Sequence, residues 1–450
     1  MIYLNDNPLS ADPIVSSPGH IKRFYKKHRF WKATIRIIIL SSLIVLCIFY
    51  FFGPNVEWKS ISDFNYSKDA NFMNYLCSNQ PESQLLLLEH QKVEGYNFFD
   101  EVDTIIPDEV WNNLPVKAAY YMIVRNEDLL DSRSVIKSME DHMKNGTRYP
   151  WVLLNNQPFT SQFKKYIRKV TNAPIFFGRI DLRTWEYPYW IDVPKAEYLM
   201  LEQGLSHSIH KGISLSYHQL LRYQTGFFFH HPLLRDVEYT WRVEPGADYS
   251  CHMDDDMFMY MKENNKSLGF ALTMKESRAT IPTLWERVNE FKELYPEYIL
   301  PSTATIYPWI YDKQKNFYNR CHFWSNFQIA NLSFFRSEAY QKYFQYLDST
   351  GNFFYERWSD APVQTIAAAL FLKKEQIHFF NNIGYSHSVA SHCPYNETLL
   401  QKCSCDINSN YDFHRGSCTK RLLELIDPDT LNDMYNFIRK KNITMSIGIK

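Results

Sequence analysis

The strongest constraint on this 450-residue chain is a series of short apolar runs alternating with segments of helical period. Residues 117–124 (KAAYYMIV) form one such run between Pro115 and Arg125-Asn126, the pattern of a buried strand. Residues 127–144 carry Leu129, Ile136, Met139 and Met143 near helical spacing, and Gly146 stops the helix. Residues 151–154 predict a second strand, 161–170 a basic amphipathic helix, and 174–180 a third strand. This alternation predicts an α/β fold with a mostly parallel sheet flanked by helices on both faces. Ligands of such sheets gather beyond the carboxyl ends of the strands. Further on, residues 217–231 begin as a helix. Residues 239–243 (YTWRV) predict a strand that runs directly into Glu244-Pro245-Gly246-Ala247-Asp248. Helices are expected at 283–294, 337–347 and 361–371, and a strand at 377–380.

Ahead of this region, Lys22, Arg23, Lys26, Lys27, Arg29, Lys32 and Arg36 precede an apolar run of roughly 17 residues ending at Gly53, near the lower limit for a membrane-spanning helix. Trp31 suits one interface, and Tyr50, Phe51 and Phe52 the other. A cleavable signal peptide would end in small residues, whereas 49–52 are bulky, so a retained signal anchor is expected. The organisation expected is a cytoplasmic tail at 1–33, a transmembrane anchor at 34–53, a polar lumenal stem at 54–110 and a catalytic domain at 111–450. Six sequons, at Asn65, Asn145, Asn265, Asn331, Asn396 and Asn442, agree with a lumenal location. So do the cysteines beyond the anchor: Cys77, Cys251, Cys321, Cys393, Cys403, Cys405 and Cys418. Cys403-Ser-Cys405 lacks the two-residue gap of a zinc knuckle, so these cysteines are expected to staple the tail. Lys plus Arg and Asp plus Glu balance at 49 each, which gives no field for nucleic acid. Aromatic residues make up 16%, which fits either a sugar-binding site or a large aromatic core.

Two acidic clusters could hold a divalent cation, the direct means of neutralising a departing diphosphate. One is Glu244 with Asp248, where Pro245 and Gly246 force the chain out of the sheet. The other is Asp254-Asp255-Asp256, a literal Asp-x-Asp that is equally well explained as a cap for a helix at 257–262. Spacing alone does not rank them. His387, beyond the strand at 377–380, could approach the same sheet edge or serve as a structural histidine.

Several long motifs separate these alternatives. They are Val124-Arg125-Asn126, Ser216-Tyr217-His218, Gly226-Phe227-Phe228, Trp241-Arg242-Val243-Glu244-Pro245, CHFWSNF at 321–327, and the stretch from Gly351 to Pro362 containing FFYERWSDAP. Across about 117–394 the chain resembles the yeast-type Golgi α-1,2-mannosyltransferase family, the Kre/Ktr group of glycolipid 2-alpha-mannosyltransferases. The resemblance implies a GT-A-like, Rossmann-related mixed sheet in a type II Golgi membrane protein. It implies GDP-mannose as donor, Mn²⁺ as cofactor and retention of the α-anomer. The acceptor it implies is a mannose-terminated O- or N-linked glycan of secreted and cell-wall glycoproteins, with sister mannosyltransferases as candidate partners. By the same likeness Glu244 and His387 hold the metal, and Asp254 to Asp256 become a structural cap. Tyr217 stands near the reacting sugar, Arg125 meets the nucleotide, and Arg242 and Asp360 surround the donor and acceptor sugars.

The chain departs from the family pattern in a few places. A Glu usually follows CHFWSNF, proposed as the nucleophile of a double displacement; here it is Gln328. A carboxamide does not readily form and release a glycosyl ester. Three outcomes are open: a front-face route, a weakened enzyme, or a glycan-binding partner without catalysis. Gln364 stands where a His is common, and Asn155-Asn156 where Asn-Asp is common. The tail beyond Pro394 resembles a branch associated with mannosylphosphate transfer, an alternative chemistry on the same donor and metal.

Overall fold

The structure, a computed structural model, describes residues 103–143 and 148–443. The expected tail, anchor and nearly all of the stem lie outside the described residues, as do Cys77 and the sequons at Asn65 and Asn145. Among the described residues, no helix is long and apolar enough to cross a membrane.

Fourteen strands are described: β1 (Ala118–Ile123), β2 (Trp151–Asn155), β3 (Ile175–Arg179), β4 (Tyr239–Arg242), β5 (Asp248–Tyr249), β6 (Leu268–Phe270), β7 (Thr273–Lys275), β8 (Tyr311–Asp312), β9 (Phe317–Tyr318), β10 (Cys321–Phe323), β11 (Gln328–Asn331), β12 (Ile377–Phe379), β13 (Tyr385–His387) and β14 (Ala390–His392). Seven of them form the main sheet in the order β12-β6-β11-β4-β1-β2-β3. β4, β1, β2 and β3 run parallel. β11 is inserted antiparallel between β4 and β6, and β12 returns parallel to β6. The sheet is therefore mixed, as expected. Every residue of β2 and all but the last of β1 are buried, as continuous apolar strands require when both sheet faces are covered. β5, β13 and β14 make a separate three-stranded sheet.

The predicted helices form with ends shifted by a few residues: Leu129–His142, Ser161–Ile167, Leu215–Gly226, Leu284–Leu294, Glu338–Ser349 and Asp360–Phe371. The last of these is buried at every position from Asp360 to Leu370, and its apolar residues surround the axis as a central helix demands. Close packing beside it depends on Gly226, where an added Cβ would lie 2.0 Å from the Phe344 ring. On the same helix as Gly226, Arg222 places its guanidinium against Asp348, Nε to Oδ1 at 2.7 Å and Nη2 to Oδ2 at 2.8 Å, both side chains fully buried.

All six described cysteines are paired, as Cys251–Cys403, Cys321–Cys418 and Cys393–Cys405. The tail is thus stapled to the domain, as the cysteine pattern predicted. Cys321–Cys418 closes a separation of 97 residues; cross-links over loops of that size remove about 4–5 kcal/mol of chain entropy from the unfolded state.

The forked Arg222–Asp348 pair has no solvent to fall back on. Asp348→Ala is expected to lower the unfolding free energy by about 3–5 kcal/mol in a denaturant titration, because it strands a buried guanidinium.

Candidate active site

A cavity of about 690 Å³ opens beyond the carboxyl ends of β1 and β4. Its floor is set by the turn that ends β4. Glu244-Pro245-Gly246-Ala247 closes with Ala247 N–H donating to Glu244 C=O at 3.2 Å, and Gly246 takes φ +78°. Proline followed by a left-handed glycine is the signature of a type II turn. It lifts Glu244 out of the sheet into the cavity.

Arg242, the last residue of β4, joins this turn to the central helix. Its Nε donates to Glu244 Oε1 at 2.6 Å, and its Nη1 donates to Asp360 Oδ2. Ser325 Oγ also donates to Asp360 Oδ2, at 2.6 Å. Asp360 opens the helix Asp360–Phe371, where the helix dipole favours a negative charge. Burial opposes the charge on Arg242, but Asp360 and Glu244 outweigh it and hold the guanidinium protonated well above its usual range.

His387 reaches the cavity from the smaller sheet. β13 pairs with β5 through Tyr385 and Tyr249, only a few residues beyond the Glu244 turn. The two short elements therefore bring Glu244 and His387 to one cavity. The Asn326 side-chain amide lies 2.9 Å from His387 Nδ1, while Asn326 Oδ1 is buried without a partner. The two ends of an amide are not distinguished by shape. With the carbonyl turned to the ring, it accepts from Nδ1–H and leaves Nε2 free, the tautomer of a metal-binding histidine. By donor type, a carboxylate and an imidazole that line one cavity suit a Mn²⁺ ion. Among the described residues, the one close group of three or more potential metal ligands is Cys251, Cys403 and Cys405, and all three are in disulfides.

Tyr217 lies near the start of the helix Leu215–Gly226 and also lines the cavity. Its ring has Lys211 Nζ at 4.8 Å and the Arg357 guanidinium at 5.9 Å. Burial raises its pKa against the pull of Arg357, so the phenol keeps its proton. The neighbouring His218 is buried with its Nδ1 2.7 Å from the Phe353 carbonyl and its Nε2 3.0 Å from the Gly212 carbonyl, and its single N–H donates to one of the two. Arg125, at the cavity mouth, is half exposed and pairs with Glu127 at 3.6 Å.

Six of the seven sequence-predicted site residues, Arg125, Tyr217, Arg242, Glu244, Asp360 and His387, line this one cavity. Gln328 does not. It is buried on β11 opposite Arg242, with its amide bonded to Gln364. The Asp254–Asp256 triplet lines a different cavity of about 410 Å³. Asp256 there caps the helix Met257–Glu263 and accepts from Tyr149 Oη–H at 2.6 Å.

Sequence reasoning passed over Glu276, His322, Asn326 and Arg357, which also line the main cavity. His322 and Asn326 lay inside the CHFWSNF motif, and Arg357 inside FFYERWSDAP, but nothing in their spacing assigned them a role. His322 Nδ1 and Arg357 Nε are buried and unpartnered, polar atoms that a hydroxyl-rich ligand would satisfy. Burial keeps His322 neutral, with its pKa below the usual imidazole value.

The chain matches the glycolipid 2-alpha-mannosyltransferase family model over residues 74–427. It is 44% identical over 311 residues to glycolipid 2-alpha-mannosyltransferase 2 of Candida albicans, a match covering 69% of this chain and 67% of that one. It is 43% identical to the alpha-1,2 mannosyltransferase KTR1 of Saccharomyces cerevisiae, over 69% and 78% of the two chains. Among solved structures it is similar to the mannosyltransferase Ktr4p of S. cerevisiae in complex with GDP, with TM-score 0.67 and 31% identity over 81% of this chain and 98% of that one. It is also similar to core-mannan synthase A of Aspergillus fumigatus in its Mn/GDP form, with TM-score 0.66 and 32% identity over 74% and 91%. With its mixed sheet, its Glu244–His387 cavity and these matches, the chain belongs to the glycolipid 2-alpha-mannosyltransferase family.

Proposed function

We propose that this protein is a GDP-mannose-dependent α-mannosyltransferase with a GT-A-like domain that extends mannose-terminated glycans with retention of configuration, most simply through an α-1,2 linkage. The observation that carries the reading is the convergence of Glu244, His387, Arg242, Asp360 and Tyr217 on one cavity at the carboxyl ends of β1 and β4. The relatives named mannosyltransferases, and the similar structures titled with GDP and with Mn/GDP, support the donor and the metal.

Each side chain has a part that follows from its surroundings. Glu244 and His387 would hold Mn²⁺, which when bound supplies Lewis-acid stabilisation of the GDP leaving group. Arg242, pinned by two carboxylates, presents a fixed positive charge whose orientation costs no reorganisation during reaction. Arg125, at the mouth, meets the nucleotide. Tyr217 keeps its proton and donates a hydrogen bond toward the reacting sugar. His322 and Arg357 offer unpaired polar atoms to sugar hydroxyls.

A covalent glycosyl intermediate needs a free carboxylate beside the anomeric carbon. The deepest carboxylates here are engaged: Asp360 by Arg242 and Ser325, Glu276 by Arg357 and Ser359, Glu244 by Arg242. Gln328 neither carries a charge nor lines the cavity. These contacts favour a front-face route. The acceptor hydroxyl bonds to the anomeric carbon as the bond to phosphate breaks on the same face, and its proton passes to the departing diphosphate. The basic-flanked apolar run at 34–53 supports placement in the Golgi membrane as a single-pass type II protein.

Mn²⁺ with GDP at about a hundredfold excess over Kd should stabilise the protein by about 2.7 kcal/mol in thermal melting. Glu244→Ala should remove the Mn²⁺-dependent part of that shift; an undiminished shift would displace the metal from Glu244. Arg242→Lys keeps the charge but loses the fork. It should lower kcat with GDP-mannose and a methyl mannoside by about 10²–10³-fold, measured by product chromatography.

A further inference from the structure

Gln328 and Gln364, two of the places where the chain departs from the family pattern, stand 36 residues apart on different elements, and the fold joins them. Gln328 Nε2 donates to Gln364 Oε1 at 2.9 Å, with both side chains buried. Gln364 Nε2 in turn donates to the Gln224 carbonyl at 2.9 Å, and Gln224 Oε1 accepts from Tyr121 Oη–H at 2.8 Å.

The strand register explains where this chain of amides lies. Tyr121 stands opposite Arg242 on β1 and β4, and Arg242 stands opposite Gln328 on β4 and β11. Tyr121, Arg242 and Gln328 therefore form one cross-strand row on a single sheet face. Asp360 and Gln364 are four residues apart on the helix Asp360–Phe371, hence on one helix face. The helix seats on the row through two adjacent contacts, Asp360 on Arg242 and Gln364 on Gln328. The first contact is ionic and the second neutral.

We propose that Gln328 and Gln364 act as one unit, a neutral amide clasp that sets the seating of the helix and thereby the aim of Arg242 into the cavity. They are positioning residues, and the transfer uses no chemical group at position 328. The charge balance makes this specific. Arg242 already faces two carboxylates, Asp360 and Glu244. A third carboxylate in the same buried row, beside an Arg242 already matched to two carboxylates and hydrogen-bonded only to an amide, would exceed the positive charge available to balance it. Gln328→Glu alone should therefore impair the enzyme instead of supplying a nucleophile. Changing the partner to an imidazole, which can carry the balancing charge and the hydrogen bond, should rescue it.

The inference rests on the transferase reading, and wild-type turnover of GDP-mannose tests that reading separately. The test of the clasp compares wild type, Gln328→Glu, Gln364→His and the double variant. The readout is kcat per GDP-binding site, well below each melting temperature. Each single change is expected to lower kcat about tenfold or more, and the double to recover to within about threefold of wild type, the non-additivity of groups in direct contact. A second cycle with Gln328→Met and Gln364→Met guards against misfolding of the charged variants. Removing both polar partners together should cost less, in kcat and in melting temperature, than the sum of the two single changes, because the double variant leaves only the Gln224 carbonyl without its donor. A gain in kcat for Gln328→Glu alone would overturn the proposal. So would additive losses in both cycles, or lower melting temperatures with kcat per site unchanged.

Discussion

The site is organised around one buried guanidinium. Arg242 ends a central strand and is held from one side by Asp360, from the other by Glu244. A charge taken out of water in this way is stable only if its partners are fixed, and the fixing is mutual. Asp360 ties the sheet to the central helix, and Glu244 is drawn into the cavity by the turn that follows the strand. Without the Arg242 fork, the helix that carries Asp360 and the turn that carries Glu244 would have no common reference.

The second support comes from the far end of the chain. His387 lies in a sheet of only three strands, each two or three residues long. Two disulfides brace its surroundings: Cys251 follows β5 and is bonded to Cys403, and Cys393 follows β14 and is bonded to Cys405. The tail cysteines thus serve the site as well as the fold, by holding the segment that presents His387 beside the Glu244 turn. Asn326 then sets which ring nitrogen faces outward.

The elements legible in the sequence were those with continuous apolar runs: β1, β2 and β4 gave unambiguous patterns because both their faces are buried, and β3, partly buried at the sheet edge, kept an apolar run as well. β11 was not legible. Its Gln328–Asn331 stretch has two apolar residues between two amides, and it becomes a strand only by pairing with β4 and β6. β5, β13 and β14 were hidden for the same reason. Among the site residues, Glu244 could be picked out from strand and turn, but its rivalry with Asp254–Asp256 could not be decided by spacing, since both are acids at element ends. In the fold Asp256 caps a helix and the triplet lines a different cavity, whereas Glu244 shares its cavity with Tyr217, Arg242, Asp360 and His387. The Gln328–Gln364 contact was invisible, because nothing local links a strand residue to a helix residue 36 positions away.

The central claim is that Glu244 and His387 jointly hold the metal at the GDP leaving group. Crystals grown with GDP and Mn²⁺, measured at the manganese absorption edge, test it directly. An anomalous peak bonded to a Glu244 carboxylate oxygen, to His387 Nε2 and to diphosphate oxygens is expected. A peak at Asp254–Asp256, or a diphosphate-bound ion touching neither Glu244 nor His387, would contradict it.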